Sequence, residues 1–472
     1  MLNSYINARK RETFRAAFIA GNQCYMIANH SKTCAFITFG CKVNQYETQA
    51  LRESLIAKGF MEISPEMAAD VYVINTCTVT SASDEKSRNY IKRLKKKSPK
   101  SSIVVTGCYA ESDAAAIKKI DGVSHVITKA DESSLAEIIV GNDDPCIPQI
   151  TSLPPYLLQN NTFQKDSIYR LNISRFHGHT RAFLKIEDGC DMYCSYCIIP
   201  YVRGAIKSRK WQDIHDEAKR LIHNGYKEIV LTGIHLGAYG KEMSDGISLV
   251  KILERLSEFS GLGRIRLSSI EVNEITPELM HLIAERKTIC PHLHIPLQSG
   301  DDLILKRMNR KYTAAYYQEI LDIIRSNIKL PAITTDVMVG FPGETERHFQ
   351  NTVDFCTKAG YSRMHIFPFS IRKGTPAASM QNHCASPSIT QRKDLLKAHA
   401  DTLSYAYKKQ FLNHIGEVLV EWERDAKTNK LCGYTERYIK VLFDGPDTLK
   451  NSIVPVQIER IERSDVFGKL NN

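Results

Sequence analysis

The sequence predicts an α/β protein in three parts: a parallel α/β domain, an open partial barrel of six β/α units and a small C-terminal β-barrel. Three observations carry this. Short Val/Ile-rich runs alternate with amphipathic helical stretches between residues 34 and 150, the pattern of a parallel sheet with helical crossovers. The same alternation restarts at Arg181 with six strand-like runs, too few to close an eight-unit barrel. After a helical stretch around residues 390–412 the helices stop, and short strand-like runs follow one another across turns.

Residues 1–33 carry Arg9, Lys10, Arg11, Arg15 and Lys32 against Glu12 alone, +4 of the formal +11. They read as a disordered leader, a basic and acid-poor transit peptide, or sequence upstream of a true start at Met26. In the domain over 34–150, CAFITFG, DVYVINT, SIVVTG and HVITK are the strands. VNQYETQALRESLIAKGF, SASDEKSRNYIKRLKKKS and ESDAAAIKKI are the helices between them. Residues 151–180, with LPP, QNN and HGH, form a linker. Across 181–410 the barrel strands are RAFLKIEDG, EIVLTGIHL, RIRLSSIEV, HLHIPLQSG, ITTDVMVGF and SRMHIFPFS. WQDIHDEAKRLIHNG, SLVKILERLSEF and YYQEILDIIRSN are among the intervening helices. Residues 411–472 contribute GEVLVEWER, GYTERYIKVLF and SIVPVQIERIE to the small barrel.

Composition excludes several classes. A chain of 472 residues, 43% hydrophobic and 24% charged, has the material for roughly two to four globular cores. No apolar run approaches the ~20 residues of a membrane helix, so no membrane partner is expected. Thirteen cysteines in so long a chain do not make a disulfide scaffold. No signal peptide is evident, and reduced thiols in a cytoplasmic location are expected. Cys24, Cys34, Cys146, Cys290, Cys356, Cys384 and Cys432 lack partners at ligand spacing and read as buried or incidental thiols. The net charge of +11 permits a nucleic-acid partner without proving one.

The chemistry concentrates in Cys190, Cys194 and Cys197, a C-x3-C-x2-C triplet in IEDGCDMYCSYC just after the first barrel strand. Three thiolates at this spacing hold three corners of a 4Fe–4S cluster and leave the fourth iron open to a small molecule. Zinc and ferredoxin sites fill every corner, so a triplet without a nearby fourth cysteine points to a reactive cluster. Cys41, Cys77 and Cys108 each end one of the first three strands of the N-terminal domain. Ligands of open α/β sheets gather beyond the carboxyl ends of strands, so these three predict a second metal site; three ordinary core cysteines are the competing reading.

TFGCKVNQYET, NTCTV, GCYAE, GCDMYCSYC, LTGIHLGAYG, RLSSIEV, HIPLQSGD, MNRKYT and TTDVMVGFPGET together resemble, in order over roughly residues 34–442, the radical S-adenosylmethionine methylthiotransferases. GCKVNQYETQA, HIFPFSIRKGTPA and GYTERYIKV are similar to the branch acting on threonylcarbamoyl-adenosine in tRNA. The isopentenyl-adenosine branch tends to show Gln-Met-Asn after the first cysteine and the ribosomal-protein branch Pro-Lys-Asn; here Lys42, Val43 and Asn44 follow Cys41.

The resemblance implies a Rossmann-like cluster domain, a radical SAM partial (β/α)6 barrel and a TRAM-like C-terminal barrel. It implies two 4Fe–4S clusters, one on Cys190, Cys194 and Cys197 and an auxiliary one on Cys41, Cys77 and Cys108. The first, with S-adenosylmethionine on its open iron, would generate a radical; the second would carry the sulfur for carbon 2 of threonylcarbamoyl-adenosine 37. S-adenosylmethionine would serve as radical source and methyl donor. The partners implied are the tRNA anticodon arm, a low-potential electron donor and a sulfur donor. Substrates of the other two branches are the alternative, and an RNA-binding module without catalysis a distant third, opposed by six intact motif cysteines.

Strand-end residues Thr232, Gly233, Ser269, Glu271, Gln298, Ser299 and Asp336 read as a cofactor pocket or as barrel packing, and Tyr196 as a cluster shield or a packing residue. Gly340, Pro342 and Gly343 read as a close-approach loop or as turn geometry. His292 and His294 read as core or pocket histidines. Arg203 and Arg209 read as contacts to cofactor carboxylate or tRNA phosphate, or as internal salt bridges. Lys92, Arg93, Lys95, Lys96 and Lys97 form the densest basic run, either a phosphate grip or a solvated helix face. Residues 412–472 hold nine Lys/Arg and ten Asp/Glu, so RNA contact there would rest on local side chains: Tyr434, Arg437, Tyr438 and Lys440.

Overall fold

The computed structural model describes residues 32–140 and 172–471. Residues 1–31 of the expected leader, with Met26, and most of the linker over 151–180 lie outside the described residues, and Thr33, placed in the leader, begins the first strand.

The N-terminal sheet is parallel throughout, in the order β2-β1-β3-β4-β5. Its strands are β1 (Thr33–Thr38), β2 (Met61–Glu62), β3 (Val71–Thr76), β4 (Ser102–Gly107) and β5 (Val123–Val126). Between and after them run α1 (Lys42–Ala57), α2 (Ser81–Lys97), α3 (Cys108–Ser112), α4 (Ala114–Lys118) and α5 (Leu135–Val140). The central strands are continuous apolar runs because both faces are covered. Ile37, Ile74, Ile103 and Val105 pack on one side with Ile91, Leu94 and Ile117, whereas Phe36, Val73 and Val104 pack on the other with Leu51, Leu55 and Leu135.

All six predicted barrel strands are present and parallel. They are β6 (Ala182–Lys185), β9 (Glu228–Thr232), β10 (Arg264–Leu267), β11 (His292–His294), β12 (Ala332–Val339) and β13 (Arg363–Pro368). Bridges Ile265–Ile289 and Ser269–His294 join the two three-stranded halves into one arc. A short antiparallel pair, β7 (Glu187–Asp188) with β8 (Lys207–Ser208), brackets the cysteine loop and α6 (Ile199–Arg203). The outer layer comprises α7 (Trp211–His223), α8 (Leu249–Ser257), α9 (Pro277–Glu285), α10 (Asp302–Arg307), α11 (Ala314–Asn327), α12 (Glu346–Ala359) and α13 (Ser386–Lys409).

The chain ends in a closed barrel of order β14-β15-β16-β18-β17. Its strands are β14 (Ile415–Val420), β15 (Leu431–Thr435), β16 (Lys440–Phe443), β17 (Ile453–Glu462) and β18 (Asp465–Leu470). It docks on the amino-terminal ends of the large barrel's strands, away from the cysteines. Arg264 donates to the Glu417 and Tyr434 carbonyls at 3.2 Å, and Arg266 to the Glu436 carbonyl at 2.9 Å. Both guanidiniums share the fully buried Glu228, at 3.2 and 2.7 Å. Among the described residues no helix is long and apolar enough to cross a membrane.

Arg266→Met leaves Glu228 with a single cation and cuts the seam to the small barrel. A loss of about 3 kcal/mol is expected, read as a lowered urea midpoint of the C-terminal barrel.

Candidate active site at two cysteine triplets

Neighbouring strands β1, β3 and β4 bring Cys41, Cys77 and Cys108 to one end of the N-terminal sheet. The loop is built around two asparagines. Asn44 Nδ2 donates to Asn75 Oδ1 at 2.9 Å and to the Thr76 carbonyl, while Asn75 Nδ2 donates to the Asn44 carbonyl at 3.0 Å. This clasp ties the start of α1 to the end of β3, and the Cys41 thiol donates to Asn44 Oδ1 at 3.1 Å. Gly40 and Gly107, just before two of the cysteines, hold φ of 115° and 93°, which L side chains rarely adopt. A Cβ on Gly40 would meet Cys77 Cβ at 2.9 Å, and one on Gly107 would meet Asn75 Oδ1 at 2.3 Å. The sequence pattern Gly-Cys, Asn-Thr-Cys, Gly-Cys is therefore one packed unit. Burial pushes the Cys77 thiol up to about 11, with Cys108 and Cys41 adding to the rise.

Cys190, Cys194 and Cys197 lie in the loop between β7 and α6. Cys190 N–H donates to the Gly204 carbonyl at 3.1 Å, Ser195 N–H to the Met308 carbonyl at 3.0 Å and Ala377 N–H to the Ser195 carbonyl at 2.7 Å. Two cations that sequence reasoning missed stand against these thiols. Arg310 Nη1 donates to Cys194 Sγ at 3.3 Å, and the same guanidinium pairs with Glu271 and donates to Tyr312 Oη. His235 lies between Asp191 at 3.1 Å and Glu274 at 2.8 Å. Burial opposes its charge, but hydrogen bonds to Cys190 and Glu274 outweigh burial and raise it to about 10. Burial pushes Cys197 up to about 12.

Among the described residues no three His, Cys, Asp or Glu are grouped as ligands of a single metal ion. Ligands of one zinc share a centre, whereas the cysteines of a 4Fe–4S cluster each take a separate iron. Two triplets of mutually interacting thiols with cationic neighbours fit the latter.

The predicted pocket residues fall at or near the carboxyl ends of the barrel strands. Thr232 is buried, and Gly233 leaves no room for a side chain because Glu187 Oε2 would lie 2.4 Å from a Cβ. Glu187, raised to about 8 chiefly by burial, accepts from the Ile234 and His235 amides at 2.8 Å. Ser269 is exposed and bridges His294, while Ser268 beside it is buried with a hydroxyl that has no partner among the described residues. Gln298 holds φ of 67°, and its buried Oε1 has no partner among the described residues. That orphan acceptor is the kind of group a bound polar cofactor would satisfy. Ser299 is buried and engages Thr352 Oγ1 at 3.2 Å. Asp336 lies between His294 and His365, both at 3.2 Å, and their hydrogen bonds outweigh burial to hold its carboxyl well below the usual range. Tyr196 packs edge to face on Phe341 at 6.5 Å. In the glycine loop, a Cβ on Gly343 would meet the Arg307 guanidinium at 2.8 Å.

The remaining predicted residues stand elsewhere. Arg203 is buried against Glu47 and Asp188, both at 3.0 Å, and Arg209 against Glu217 at 2.8 Å; both are internal salt bridges. Lys185 and Lys129 complete the network on Glu47 at 3.0 and 2.6 Å. Tyr434 and Tyr438 stack at 5.0 Å with Arg181 over both rings and Arg266 over Tyr438. Arg437 donates to the Leu330 and Lys329 carbonyls, and Lys440 pairs with Asp425 at 2.8 Å. Lys92, Arg93, Lys96 and Lys97 are exposed, and Lys95 donates to the Pro99 carbonyl at 2.9 Å. This run ends α2, where cations complement the helix dipole.

A cysteine triplet at the mouth of a six-stranded partial barrel defines the class as a radical S-adenosylmethionine enzyme. Residues 184–356 match the Radical SAM superfamily, and residues 33–128 match the family described as Uncharacterized protein family UPF0004. The chain is 40% identical over 430 residues to "Threonylcarbamoyladenosine tRNA methylthiotransferase MtaB" of Bacillus subtilis, covering 90% of this chain and 93% of that one. It is 31% identical over 430 residues to "tRNA-2-methylthio-N(6)-dimethylallyladenosine synthase" of Carboxydothermus hydrogenoformans, covering 90% and 96%. The structure of the radical S-adenosylmethionine methyltransferase TsrM from Kitasatospora setae shares the fold at a TM-score of 0.51 and 14% identity, over 74% of this chain and 77% of that one. The chain belongs to the radical S-adenosylmethionine methylthiotransferase family, enzymes that use a 4Fe–4S cluster and S-adenosylmethionine.

Glu47→Gln removes the carboxylate that the buried Arg203 and Lys185 share with the half-buried Lys129. A loss of about 3–5 kcal/mol is expected, measured as a lower midpoint in chemical denaturation of the whole enzyme.

Proposed function

We propose that the enzyme adds a methylthio group to carbon 2 of N6-threonylcarbamoyl-adenosine at position 37 of tRNA. The observation that carries this is the 40% identity, over nearly the full length, to the Bacillus subtilis enzyme of that name, against 31% to the dimethylallyl-adenosine relative. Cys190, Cys194 and Cys197 would hold the cluster that binds S-adenosylmethionine, and Cys41, Cys77 and Cys108 an auxiliary 4Fe–4S cluster.

Bound there, these groups supply a radical strong enough for an unactivated aromatic C–H and a sulfur to replace it, which no side chain provides. The protein's part is placement. Arg310 fixes Cys194 and the Glu271 carboxylate relative to each other, so a strand-end acceptor for the cofactor is oriented from the cluster loop. His235 does the same for Cys190. Packing of Ile198 and Val202 on Cys108 ties the loop of one triplet to a member of the other through an apolar contact. The basic end of α2 lies about 24 Å from the helix start near the site, by ~1.5 Å of rise per residue. Lys92, Arg93, Lys95, Lys96 and Lys97 thus suit phosphates of a stem rather than the reacting base. Tyr434, Arg437, Tyr438 and Lys440 are engaged within the protein, by Arg181 and Arg266 on the rings, the Leu330 carbonyl and Asp425, so the RNA grip rests on α2 rather than on the small barrel. A low-potential electron donor and a sulfur donor complete the reaction.

Anaerobic reconstitution should give about eight irons per chain for two four-iron clusters; a ceiling of four would remove the auxiliary site. Cys194→Ala should abolish 5′-deoxyadenosine formation, whereas Cys77→Ala should keep it and stop thiolation. Nucleoside mass spectrometry of tRNA from a deletion strain decides the substrate. Loss of the methylthio-threonylcarbamoyl nucleoside is expected, and its persistence beside loss of a methylthio-isopentenyl nucleoside would transfer the enzyme to the other branch.

A further inference from the structure

Two tyrosines, one in the cysteine loop and one on the helix after it, are turned to solvent. Tyr193, immediately before Cys194, and Tyr201, on α6, are 51% and 54% exposed, and their rings meet edge to face at 5.6 Å. Tyr193 holds φ of 46°, a left-handed backbone that bulky L-residues rarely adopt. Asn309 Nδ2 holds it there, donating to the Tyr193 carbonyl at 2.8 Å, and Lys311 Nζ donates to Asn309 Oδ1 at 2.7 Å. A strained residue fixed by its neighbours points to a use for that strain, and core packing is not the use for a ring half in water.

Position narrows the use. The apolar side of α6, Ile199 and Val202, packs with Cys108, so Tyr201 stands on the element that joins the two triplets. Lys311, exposed and bonded to Asn309, places an ammonium group on the residue that holds Tyr193. Open rings next to a cation suit single-stranded nucleic acid, whose bases stack while phosphates pair with charge. A base reacting between two metal sites must leave its loop stack, and its neighbour then loses a stacking partner that a tyrosine can replace. Tyr434 and Tyr438, by contrast, have guanidiniums on their rings.

Resting on the RNA reading above, we propose that Tyr193 and Tyr201 form a stacking platform for an unpaired base beside the nucleotide being modified, with Lys311 toward its phosphate. The test is binding of an anticodon stem–loop carrying threonylcarbamoyl-adenosine to the cluster-loaded enzyme by fluorescence anisotropy. Tyr193→Asn keeps a residue that tolerates the left-handed backbone and removes the ring. It should weaken binding about tenfold, whereas Tyr193→Phe stays within about twofold of wild type. Iron content is measured on each variant because Tyr193 lies in the cysteine loop. Tyr201→Ala, outside that loop, should weaken binding about tenfold as well and decides the matter if Tyr193→Asn loses iron. Wild-type affinity in Tyr201→Ala or in iron-replete Tyr193→Asn overturns the platform. So does unchanged RNA affinity with slower reduction by a flavodoxin-type protein, which would make the rings a docking point for an electron donor. Methylthiolation of the same stem–loop by the wild-type enzyme is scored separately. Weakened variants without wild-type product would keep the platform and remove the substrate reading.

Discussion

The buried carboxylate of Glu47 is the most heavily paired group in the joint between the N-terminal domain and the barrel, where Tyr46 also meets Glu217 and Arg372 meets Asp84. Glu47 meets Arg203, Lys185 and Lys129, and through them faces Asp188 and Glu132. Burial opposes the charge on Glu47, yet the three cations outweigh it and hold its carboxyl well below the ordinary range. Such a network is costly to assemble from water and costlier to leave incomplete. It therefore specifies one arrangement of two domains that apolar contact alone would allow to slide. Arg203 also acts on Cys41 and Cys108, so the joint between the domains and the environment of the N-terminal thiols are the same object.

A pattern recurs at both triplets. Cations stand against the cysteines: Arg203 at Cys41 and Cys108, His235 at Cys190, Arg310 at Cys194. Thiolates are the metal-binding form, and neighbouring positive charge lowers the cost of forming several of them in a small volume. The seam to the C-terminal barrel pairs charge for a structural end, with Arg264 and Arg266 of the large barrel around Glu228 and bonded to carbonyls of the small one.

Much of this was legible from residue order. Strand runs such as EIVLTGIHL and ITTDVMVGF are apolar on both faces and bounded by polar turns, so local pattern and burial agree, and all six barrel strands follow. The six motif cysteines are legible because the spacing of metal ligands is a local property or, for Cys41, Cys77 and Cys108, a property of strand ends. His235 and Arg310 sit inside quoted motifs, LTGIHLGAYG and MNRKYT, but nothing local distinguishes them from packing residues. Arg203 and Arg209 admitted two readings because a guanidinium near a cluster loop meets either an external anion or an internal carboxylate, and only the fold shows Glu47 and Glu217 waiting.

The sequence by itself determined the parallel sheet, the number of barrel strands, the closing β-barrel and the two sets of thiols, since each follows from short-range periodicity or from strand-end position. The tertiary structure alone decided which charges face which thiol, that Tyr434 and Tyr438 carry cations on their rings, and that among the described residues none stands over Tyr193 or Tyr201. Those outcomes depend on residues brought together from far apart in the chain, Cys194 with Arg310 or Glu47 with Arg203, and no window of sequence contains both partners.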